Sequence, residues 1–426
     1  MNEDYKPRIA DALLERKLAG KGAVLIEGPK WCGKTTTAEQ HAKSIIYMDA
    51  PAQVESNKIK AELNPSELLD GANPRLIDEW QIAPKLWDAV RYEADHRNGF
   101  GHFILTGSSV PVNNNGINHS GTGRFGWLRM RTMSLFESGE SSGDVSIRKL
   151  FSSPTEGIIG HNSLTIDDLA YLICRGGWPL CLYQDREIAL DQAFDYCDSI
   201  TNRDISKVDG IHRNPERVRL LMRSYARLQG SQAPYETIKE DMKSNESSTL
   251  DVETVASYIT ALKKLFVIEE SDAWNPNLRS KTAIRTSPTR YYCDPSIGTA
   301  IMELGPNDLK NDLETMGLVF ESLCIRDLRT YAEANLGKIY HYRDSTGLEC
   351  DAVMHLRNGS YGLIEIKLGG ESWINAGAEN LKTLNDRLDT TKMKKPSFLM
   401  VVTGVGDIAY RREDGIYVVP IGCLKP

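Results

Sequence analysis

The stretch Gly28-Pro29-Lys30-Trp31-Cys32-Gly33-Lys34-Thr35 decides how the first part of this chain folds. It matches the phosphate-loop pattern G-x-x-x-x-G-K-[ST] at every fixed position. The apolar run at residues 23–26 is typical of a buried strand, and residues 35–43 are predicted to form a helix directly after the loop. A strand, a glycine-bounded turn and a helix in this order predict a loop that wraps a polyphosphate. The alternative is a chance glycine-rich turn between a strand and a helix.

The residue types in the loop fit that chemistry. The two glycines let backbone N–H groups turn inward around the phosphates, and the N-terminus of the helix adds partial positive charge. Lys34 is expected to reach the β- and γ-phosphates, and the Thr35 hydroxyl is expected to bind Mg²⁺. The residues predicted to contact the ligand are Gly28, Pro29, Lys30, Trp31, Cys32, Gly33, Lys34, Thr35 and Thr36.

The run Arg75-Leu76-Ile77-Asp78-Glu79 provides the second element that a phosphate-loop protein needs. A short strand would deliver Asp78 to the Mg²⁺, and Glu79 would polarise the attacking water. Two acids after an apolar run are common in strands, but an intact phosphate loop upstream favours the catalytic interpretation. A further strand, residues 102–107, contains Thr106 and is followed by Ser108. Either hydroxyl could read the γ-phosphate or simply satisfy nearby backbone groups.

Together with Gly123-Arg124 and Ser134-Leu135-Phe136-Glu137, these motifs resemble the AAA+-type ATPases. They resemble in particular a bacterial and archaeal group that carries a C-terminal domain of unknown function. The resemblance implies ATP and Mg²⁺ as ligands and ATP hydrolysis as the activity. It also implies a sensor role for Thr106 or Ser108.

Residues 108–123 are rich in Ser, Asn and Gly, which predicts a mobile loop. Such a loop could present Arg124 to a nucleotide, either in its own subunit or across a subunit boundary in a homo-oligomer. Arg129 and Arg131 are nearby alternatives for this role. Any of the three could instead be a surface arginine.

Bulk properties limit the function. At 426 residues the chain is long enough for two or three domains, and its net charge of −7 argues against an overall electrostatic attraction to nucleic acid, although not against a local basic face. Eight cysteines without a C-x-x-C pair or zinc-ligand spacing favour a reduced, cytoplasmic protein. The N-terminus is acidic and polar rather than a signal peptide, and the longest apolar runs are strand-sized, so we expect no association with a membrane.

The middle of the chain is predicted to be helical. Three helices and a strand resemble a winged helix-turn-helix, whose third helix could enter the major groove of DNA, and they span residues 217–228, 235–242, 252–265 and 266–269. The arginines near the first of these helices are either a nucleic-acid footprint or a solvated face, and they are Arg213, Arg217, Arg219, Arg223 and Arg227.

Two further motifs resemble the same family and have no assigned role. Arg175-Gly176-Gly177-Trp178-Pro179 fits a tight turn with a buried Trp178. Asn202-Arg203-Asp204 ends the helix that follows.

The last third of the chain places acidic residues on a helix and on neighbouring strands. Glu321 lies beside the apolar face of a helix predicted at residues 308–334, Asp351 lies in a strand, and Glu365 and Lys367 share one face of the next strand. A helix Glu, a strand Asp and a strand Glu-x-Lys are arranged in this way in the restriction-endonuclease-like PD-(D/E)xK fold. The C-terminal part of the chain resembles that fold.

This resemblance implies a second site for Mg²⁺. Carboxylate oxygens are the ligands that Mg²⁺ prefers, so Asp351 and Glu365, helped by Glu321, are predicted to hold one or two ions. The metal would lower the pKa of a bound water, and Lys367 could orient that water or offset phosphate charge during phosphodiester cleavage. Two alternatives stay open. Glu365 and Lys367 could form a solvated charge pair, or the fold could be kept for binding alone.

These patterns predict an α/β protein with three domains. Residues 1–140 are predicted to form a P-loop NTPase domain whose parallel sheet has helices on both faces, residues 160–290 a helical and winged-helix-like middle, and residues 291–426 an α/β nuclease-like domain. The leading hypothesis is an ATPase in which nucleotide binding gates action on DNA. The alternative is a nucleotide-dependent switch that binds DNA or a protein partner, with an inactive nuclease fold. The cluster Lys392, Lys394 and Lys395 could contact a phosphate backbone or form a solvated loop.

Overall fold

The structure is a computed structural model of the chain, and it describes residues 5–107, 123–153, 157–243, 251–276 and 284–426. Ser108 and the loop predicted at residues 108–123 lie outside the described residues, apart from Gly123. Within these ranges, no helix combines the length and the apolar character needed to cross a bilayer.

The helices and strands are numbered in chain order. The helices are α1 Ile9–Leu18, α2 Lys34–His41, α3 Val54–Leu63, α4 Pro65–Leu69, α5 Leu86–His96, α6 Leu135–Ser138, α7 Ile147–Ser152, α8 Ile166–Arg175, α9 Arg186–Ser199, α10 Ile205–Lys207, α11 Pro215–Arg227, α12 Tyr235–Lys243, α13 Val252–Lys264, α14 Pro295–Ile301, α15 Pro306–Asn311, α16 Leu313–Ala334 and α17 Glu371–Arg387. The strands are β1 Ala23–Glu27, β2 Ser44–Tyr47, β3 Arg75–Asp78, β4 Phe103–Gly107, β5 Phe125–Arg129, β6 Val145–Ser146, β7 Gly160–His161, β8 Gly337–Arg343, β9 Glu349–Leu356, β10 Tyr361–Lys367, β11 Phe398–Thr403, β12 Ile408–Arg411, β13 Tyr417–Pro420 and β14 Leu424–Lys425.

The first sheet is parallel throughout, with the strand order β2-β3-β4-β1-β5. Successive side chains of β1 point to opposite faces of this sheet. Val24 and Ile26 belong to a core cluster with residues of α1 and α2, whereas Ala23 and Leu25 belong to a cluster with residues of α5. Helices therefore cover both faces, as is usual for parallel sheets. The predicted α/β class with a parallel sheet is confirmed.

Parallel pairing brings the carboxyl ends of these strands to one edge. β1 ends at Glu27, β3 at Asp78 and β4 at Gly107. β4 lies between β1 and β3. The segments that follow the three strands are therefore neighbours, which is the edge where open α/β sheets bind ligands.

The chain divides into two compact units, and each is described separately. One consists of Met1–Thr132, Ser199–Asn214 and Tyr258–Val267, and the other of Met133–Asp198, Pro215–Ser257 and Ile268–Pro426. Residues far apart in sequence thus pack with the phosphate-loop sheet. The three domains expected from the sequence, residues 1–140, 160–290 and 291–426, have boundaries that differ from those of these two units. The three-domain division stays a prediction.

The second unit contains a mixed sheet with the order β7-β12-β13-β11-β10-β9-β8. Strands β8, β9 and β10 are antiparallel, whereas β10, β11 and β13 are parallel. Helix α17 packs against β9, β10 and β11, and α16 packs against β8, β9 and β10. The expected C-terminal α/β sheet domain is present. The long helix predicted at 308–334 is instead two helices, because Asp312 has a non-helical backbone and caps α16 by accepting from the Thr315 N–H at 3.1 Å.

The Gly-Gly-Trp-Pro motif has a structural role. Trp178 is buried, and its indole N–H donates to the Ser296 hydroxyl at 3.0 Å. The Gly177 N–H donates at 3.0 Å to Asp294, which caps α14. The expectation of a turn with a buried Trp178 is therefore confirmed.

Helices α11, α12 and α13 occupy the positions expected for a winged helix-turn-helix. In place of the strand predicted at 266–269, the structure has an isolated antiparallel bridge between Ile268 and Tyr292, and a second one joins Ser271 and Thr289. Paired segments thus follow the third helix, but they are too short to identify a wing. The winged-helix assignment stays a prediction.

Candidate functional site

The phosphate loop leaves β1 through a glycine that no other residue could replace. A Cβ atom on Gly28 would lie 2.0 Å from the carbonyl oxygen of Met130, well inside van der Waals contact. Gly33 precedes α2 with φ 94° and ψ 20°, a left-handed conformation that favours glycine. The two fixed glycines of the motif are thus required by close approach and by backbone conformation, respectively.

Lys34 lies over the loop rather than in solvent. Its ammonium donates to the carbonyl oxygens of Gly28 at 3.0 Å and Pro29 at 2.7 Å, and the side chain is buried. These carbonyls are neutral acceptors, so a polyphosphate could compete for the ammonium with a stronger, charged acceptor. The contact of Lys34 with the β- and γ-phosphates stays a prediction.

Asp78, the last residue of β3, contacts one side chain from the phosphate loop and one from β4. Its Oδ1 atom accepts a hydrogen bond from the Thr35 hydroxyl at 2.8 Å and another from the Thr106 hydroxyl. Burial raises the pKa of Asp78, and the two hydroxyl donors oppose that rise. Three residues that the sequence predicted for one site are therefore in direct contact. Carboxylate and hydroxyl oxygens are the donor set that suits Mg²⁺, so Thr35 and Asp78 fit the predicted ion.

Glu79 follows the strand in a left-handed conformation, with φ 53° and ψ 44°. Burial raises the pKa of its carboxyl above the usual value, the charge of Lys34 opposes this rise, and the charge of Asp78 adds to it. The carboxylate accepts a hydrogen bond from the side-chain amide of Gln81. Gln81 could not be identified from the sequence, because an amide two residues after the acid matches no motif.

The other loop residues differ in exposure. Trp31 is 49% exposed and has a left-handed backbone with φ 65°, whereas Cys32 is buried with its Sγ atom 3.7 Å from the Met130 carbonyl oxygen. Thr36 is exposed on the first turn of α2. Lys30 forms an ion pair with Asp204, 2.7 Å between Nζ and Oδ1. Nucleotide contacts of these four residues stay predictions.

A buried arginine near the N-terminus supports the loop. The guanidinium of Arg8 donates to the carbonyl oxygens of Cys32 at 2.8 Å and Arg131 at 2.9 Å. This pair of hydrogen bonds ties the loop to the segment that follows β5. No local motif marks Arg8, because its partners are distant in the sequence.

Strand register places Arg124 away from the loop. Arg124 precedes Phe125, which pairs with Ala23 at the start of β1. It is therefore level with the residue six positions before Gly28, which is about 20 Å along the strand at a rise of about 3.3 Å per residue. Its guanidinium pairs with Asp95. The pairing with Asp95 at this end of the strand does not favour contact between Arg124 and a nucleotide of its own subunit. A role for Arg124 at a nucleotide, in its own subunit or across a subunit boundary, stays a prediction. Arg129 ends the same strand at the loop edge, 3.5 Å from Glu27.

Two of the predicted acidic residues of the C-terminal region, Asp351 and Glu365, contact one ammonium. Lys367 Nζ lies 2.7 Å from Glu365 Oε2 and 3.3 Å from Asp351 Oδ2. Asp351 also accepts from the backbone N–H of Ile366 at 2.7 Å, and Glu365 accepts from the side-chain amide of Asn380 at 2.8 Å. Glu365 is 2% exposed, so the alternative of a solvated Glu365–Lys367 charge pair is wrong.

We use the name carboxylate cluster for Glu321, Asp351 and Glu365 together with the Lys367 ammonium. Burial and the charges of neighbouring groups shift the pKa values of several of these residues. Burial raises the pKa of Glu365 and of Glu321, and the charge of Asp351 raises both further. Burial alone would lower the pKa of Lys367, but Asp351 and Glu365 outweigh it and raise the pKa. The Glu321 carboxylate accepts from the Tyr291 hydroxyl.

Each carboxylate of the carboxylate cluster already has partners within the protein. Lys367 pairs with Asp351 and Glu365, and N–H and O–H donors bind all three acids. Among the described residues, no three His, Cys, Asp or Glu side chains converge in a way that could hold a metal ion. The donor chemistry of Asp351 and Glu365 still suits Mg²⁺, but the ammonium lies where a shared cation would be needed. Metal binding by Glu321, Asp351 and Glu365 stays a prediction.

Several residues considered for nucleic-acid binding are engaged locally. Arg213 pairs with Asp209 at 2.7 Å, and Arg219 pairs with Asp198 at 2.5 Å. Lys394 differs, because its ammonium donates at 2.9 Å to the carbonyl oxygen of Asn358, which is neutral. The arginine run is thus partly compensated by acids, which weakens the case for a nucleic-acid footprint there.

Two curated relatives and two solved structures are similar to most of the chain at low sequence identity. Two proteins described as uncharacterized, Mb2031c of Mycobacterium bovis and Rv2008c of Mycobacterium tuberculosis, are each 22% identical to it over 364 residues, which cover 84% of this chain and 73% of theirs. The Walker-type ATPase PABY2304 of Pyrococcus abyssi aligns with 71% of this chain and 97% of its own, at 15% identity and a TM-score of 0.44. The Orc1 protein of Aeropyrum pernix, solved in complex with DNA, aligns with 73% of this chain and 95% of its own, at 14% identity and a TM-score of 0.23.

Three family profiles match separate parts of the chain. A domain of unknown function (DUF8612) matches residues 166–308, and another (DUF4143) matches residues 316–424. Neither description names a nuclease, so these matches do not support the predicted PD-(D/E)xK core. The AAA domain matches residues 20–138, which include the phosphate loop, Asp78, Glu79 and Thr106. This match supports a P-loop ATPase domain of the AAA type, and with it ATP binding, for residues 20–138.

Proposed function

We propose that this protein hydrolyses ATP at the phosphate loop and uses the nucleotide to control an action of its C-terminal region on DNA. The observation that carries the first half is the contact of Asp78 with Thr35 and Thr106, beside Glu79. The phosphate loop, the acid proposed to bind the metal, the proposed base and the proposed sensor are thus neighbours at one edge of the sheet.

Each residue has a distinct role in this proposal. Lys34 exchanges its two loop carbonyls for the β- and γ-phosphates, and Thr35 and Asp78 hold Mg²⁺ through hard oxygens. Bound Mg²⁺ offsets the negative charge of the phosphates. Glu79 accepts the proton of the attacking water, and its raised pKa brings it closer to the pKa that suits a general base at neutral pH. Thr106 reads the terminal phosphate.

We propose that Arg124 acts across a subunit boundary in a homo-oligomer. It lies at the amino-terminal ends of the strands of its own sheet, whereas the phosphate loop follows the carboxyl end of β1. In an oligomer it could therefore meet a partner's nucleotide.

The cysteines fit a cytoplasmic location. All eight are free thiols, which is consistent with a reducing compartment such as the cytoplasm.

Replacing Glu79 by Gln should separate binding from hydrolysis. The amide keeps the size of the side chain but cannot accept the proton of water, so the turnover number should fall by about 10²–10⁴-fold. The affinity for ATP should stay close to that of the parent. Phosphate release under saturating ATP and equilibrium binding of labelled ATP measure the two quantities.

A matched control for that experiment is Glu55→Gln, because Glu55 is an exposed acid on α3 of the same unit. It should change neither quantity. Turnover by Glu79→Gln at the parent rate would remove Glu79 from the role of base.

The pH dependence of ATP hydrolysis should carry the signature of Glu79. A general base must be unprotonated to accept a proton. The value of kcat/KM should therefore be maximal above the pKa of Glu79 and should fall as the pH drops through that pKa. Because burial raises this pKa, the fall should occur at higher pH than for an ordinary glutamate, whose pKa is about 4.3. A pH series of initial rates measures the profile. If the residual activity of Glu79→Gln keeps the same acidic limb, the limb belongs to another group and the base assignment fails.

We propose Mg²⁺-dependent cleavage of DNA as the action of the C-terminal region. The supporting observation is that Asp351, Glu365 and Lys367 meet within hydrogen-bonding distance on adjacent strands. Bound Mg²⁺ would activate a water for attack on a phosphodiester. Asp351 and Glu365 would hold the ion, and Lys367 would move from the carboxylates toward a phosphate oxygen or the water.

The cleavage proposal predicts that Asp351→Asn and Glu365→Gln slow the nicking of plasmid or single-stranded DNA. Each substitution removes a charged metal ligand while keeping the side-chain shape, so we expect the cleavage rate to fall by roughly 10–100-fold or more. Gel assays with Mg²⁺ or Mn²⁺, with and without ATP, measure it. Asp386→Asn changes an exposed acid of the packed helix α17 and should cut like the parent.

Intact DNA under all these conditions, with ATP turnover retained, would contradict cleavage. It would favour the alternative function, an ATP-dependent switch that binds DNA or a protein partner through an inactive nuclease-like fold. A DNA-binding titration in the presence of ATP and of ADP would then separate these two kinds of partner.

A further inference from the structure

The phosphate loop contains a second lysine with an acidic partner. Lys30 Nζ lies 2.7 Å from Asp204 Oδ1. The Lys30 side chain is 42% exposed, whereas that of Asp204 is only 11% exposed. The carboxylate is thus largely enclosed, but the ammonium still has solvent on one side. An ammonium has three donors, so it can bind a second acceptor without leaving Asp204.

Lys30 begins beside the space expected for the terminal phosphates. The carbonyl oxygens of Gly28 and Pro29 are both within 3.0 Å of the Lys34 ammonium. Lys30 directly follows Pro29 in the loop. A side chain from this point of the loop starts next to the group that contacts the β- and γ-phosphates.

Asp204 reaches the loop from an unusual piece of backbone. It ends a π-helical segment, Ile200–Asp204, that joins α9 to α10. Within this segment Thr201 and Asp204 are buried. Short π segments are rare and occur frequently at functional sites, because the wider turn redirects individual side chains. Asp204 is 174 residues from Lys30 in sequence, yet the segment packs in the same unit as the loop. Asp204 is also the last residue of the Asn202-Arg203-Asp204 motif, which had no assigned role.

We propose that Lys30 is a second phosphate-binding lysine, that Asp204 is its positioning residue, and that the pair selects ATP over ADP. Asp204 restricts the flexible lysine to one side of the loop, which reduces the entropy lost when the ammonium meets the ligand. The free donors of Lys30 then bind the γ-phosphate, which ADP lacks. This inference deepens the proposed function and rests on it. The competing explanation is a purely structural tether that holds the π segment to the loop.

The test measures ATP and ADP affinities in the full chain, with Mg²⁺, on a Glu79→Gln background that does not consume ATP. Adding Lys30→Met should weaken ATP binding by about tenfold and change ADP binding by less than about twofold, since it removes one charged hydrogen bond to the γ-phosphate. Asp204→Asn should lower the ratio of ATP affinity to ADP affinity, as Lys30→Met does. The double variant Lys30→Met/Asp204→Asn should have the same ratio as Lys30→Met alone, because Asp204 acts through the lysine. Lys30→Arg keeps the charge and should retain the preference for ATP.

Lys58→Met is the matched control. Lys58 is 45% exposed and pairs with Glu55 at 2.8 Å in the same unit, so it resembles Lys30 in exposure and partner but lies outside the loop. It should leave both affinities unchanged. If Lys30→Met leaves the ratio of ATP affinity to ADP affinity unaltered, whether neither affinity changes or both fall equally, the inference is overturned while the ATP site stays intact. Failure of the Glu79→Gln parent to bind ATP would overturn the inference together with the proposed function.

Discussion

One oxygen of a buried carboxylate, Asp78 Oδ1, accepts hydrogen bonds from the hydroxyls of both Thr35 and Thr106, and the nucleotide site depends on this contact. The three side chains come from α2, β3 and β4, so they meet only if the strands are parallel and in the observed register. Burial makes an ionised carboxylate costly, and the two donors offset part of that cost. The same oxygens are suited to a hard cation. The contact that organises the folded site is therefore also suited to nucleotide chemistry.

The sequence predicts the parts of this site that depend on local geometry. Gly33 is fixed by a left-handed backbone conformation, a requirement that acts within a single turn. The phosphate-loop motif also marks Gly28, although its requirement is close approach to the carbonyl oxygen of the distant Met130. Asp78 and Thr106 could be placed because parallel strands deliver their ends to one edge. The strands of the C-terminal sheet follow from alternation in the same way, although a capping aspartate divides the helix before them.

The remaining features depend on contacts between distant segments, which periodicity and motifs do not encode. Arg8 binds loop carbonyls, and Asp204 binds Lys30, across large separations in sequence. Arg124 matched a family step, but only the pairing of β5 with β1 reveals that it lies at the far edge of the sheet. At the carboxylate cluster, the residue types are those of a metal site, whereas the burial of Glu365 and its pairing with Lys367 make it self-satisfied.

If the phosphate loop and Asp78 form one site for ATP and Mg²⁺, the affinity for ATP must depend on both the ion and the carboxylate. Calorimetric titration of ATP into the folded parent and into Asp78→Asn, with and without Mg²⁺, measures this dependence. We expect saturable binding of ATP by the parent, tighter binding with Mg²⁺ than without it, and loss of this Mg²⁺-dependent gain in Asp78→Asn. An absence of saturable binding by well-folded parent protein, or an equal Mg²⁺ effect in both proteins, would show that the loop and Asp78 do not form such a site.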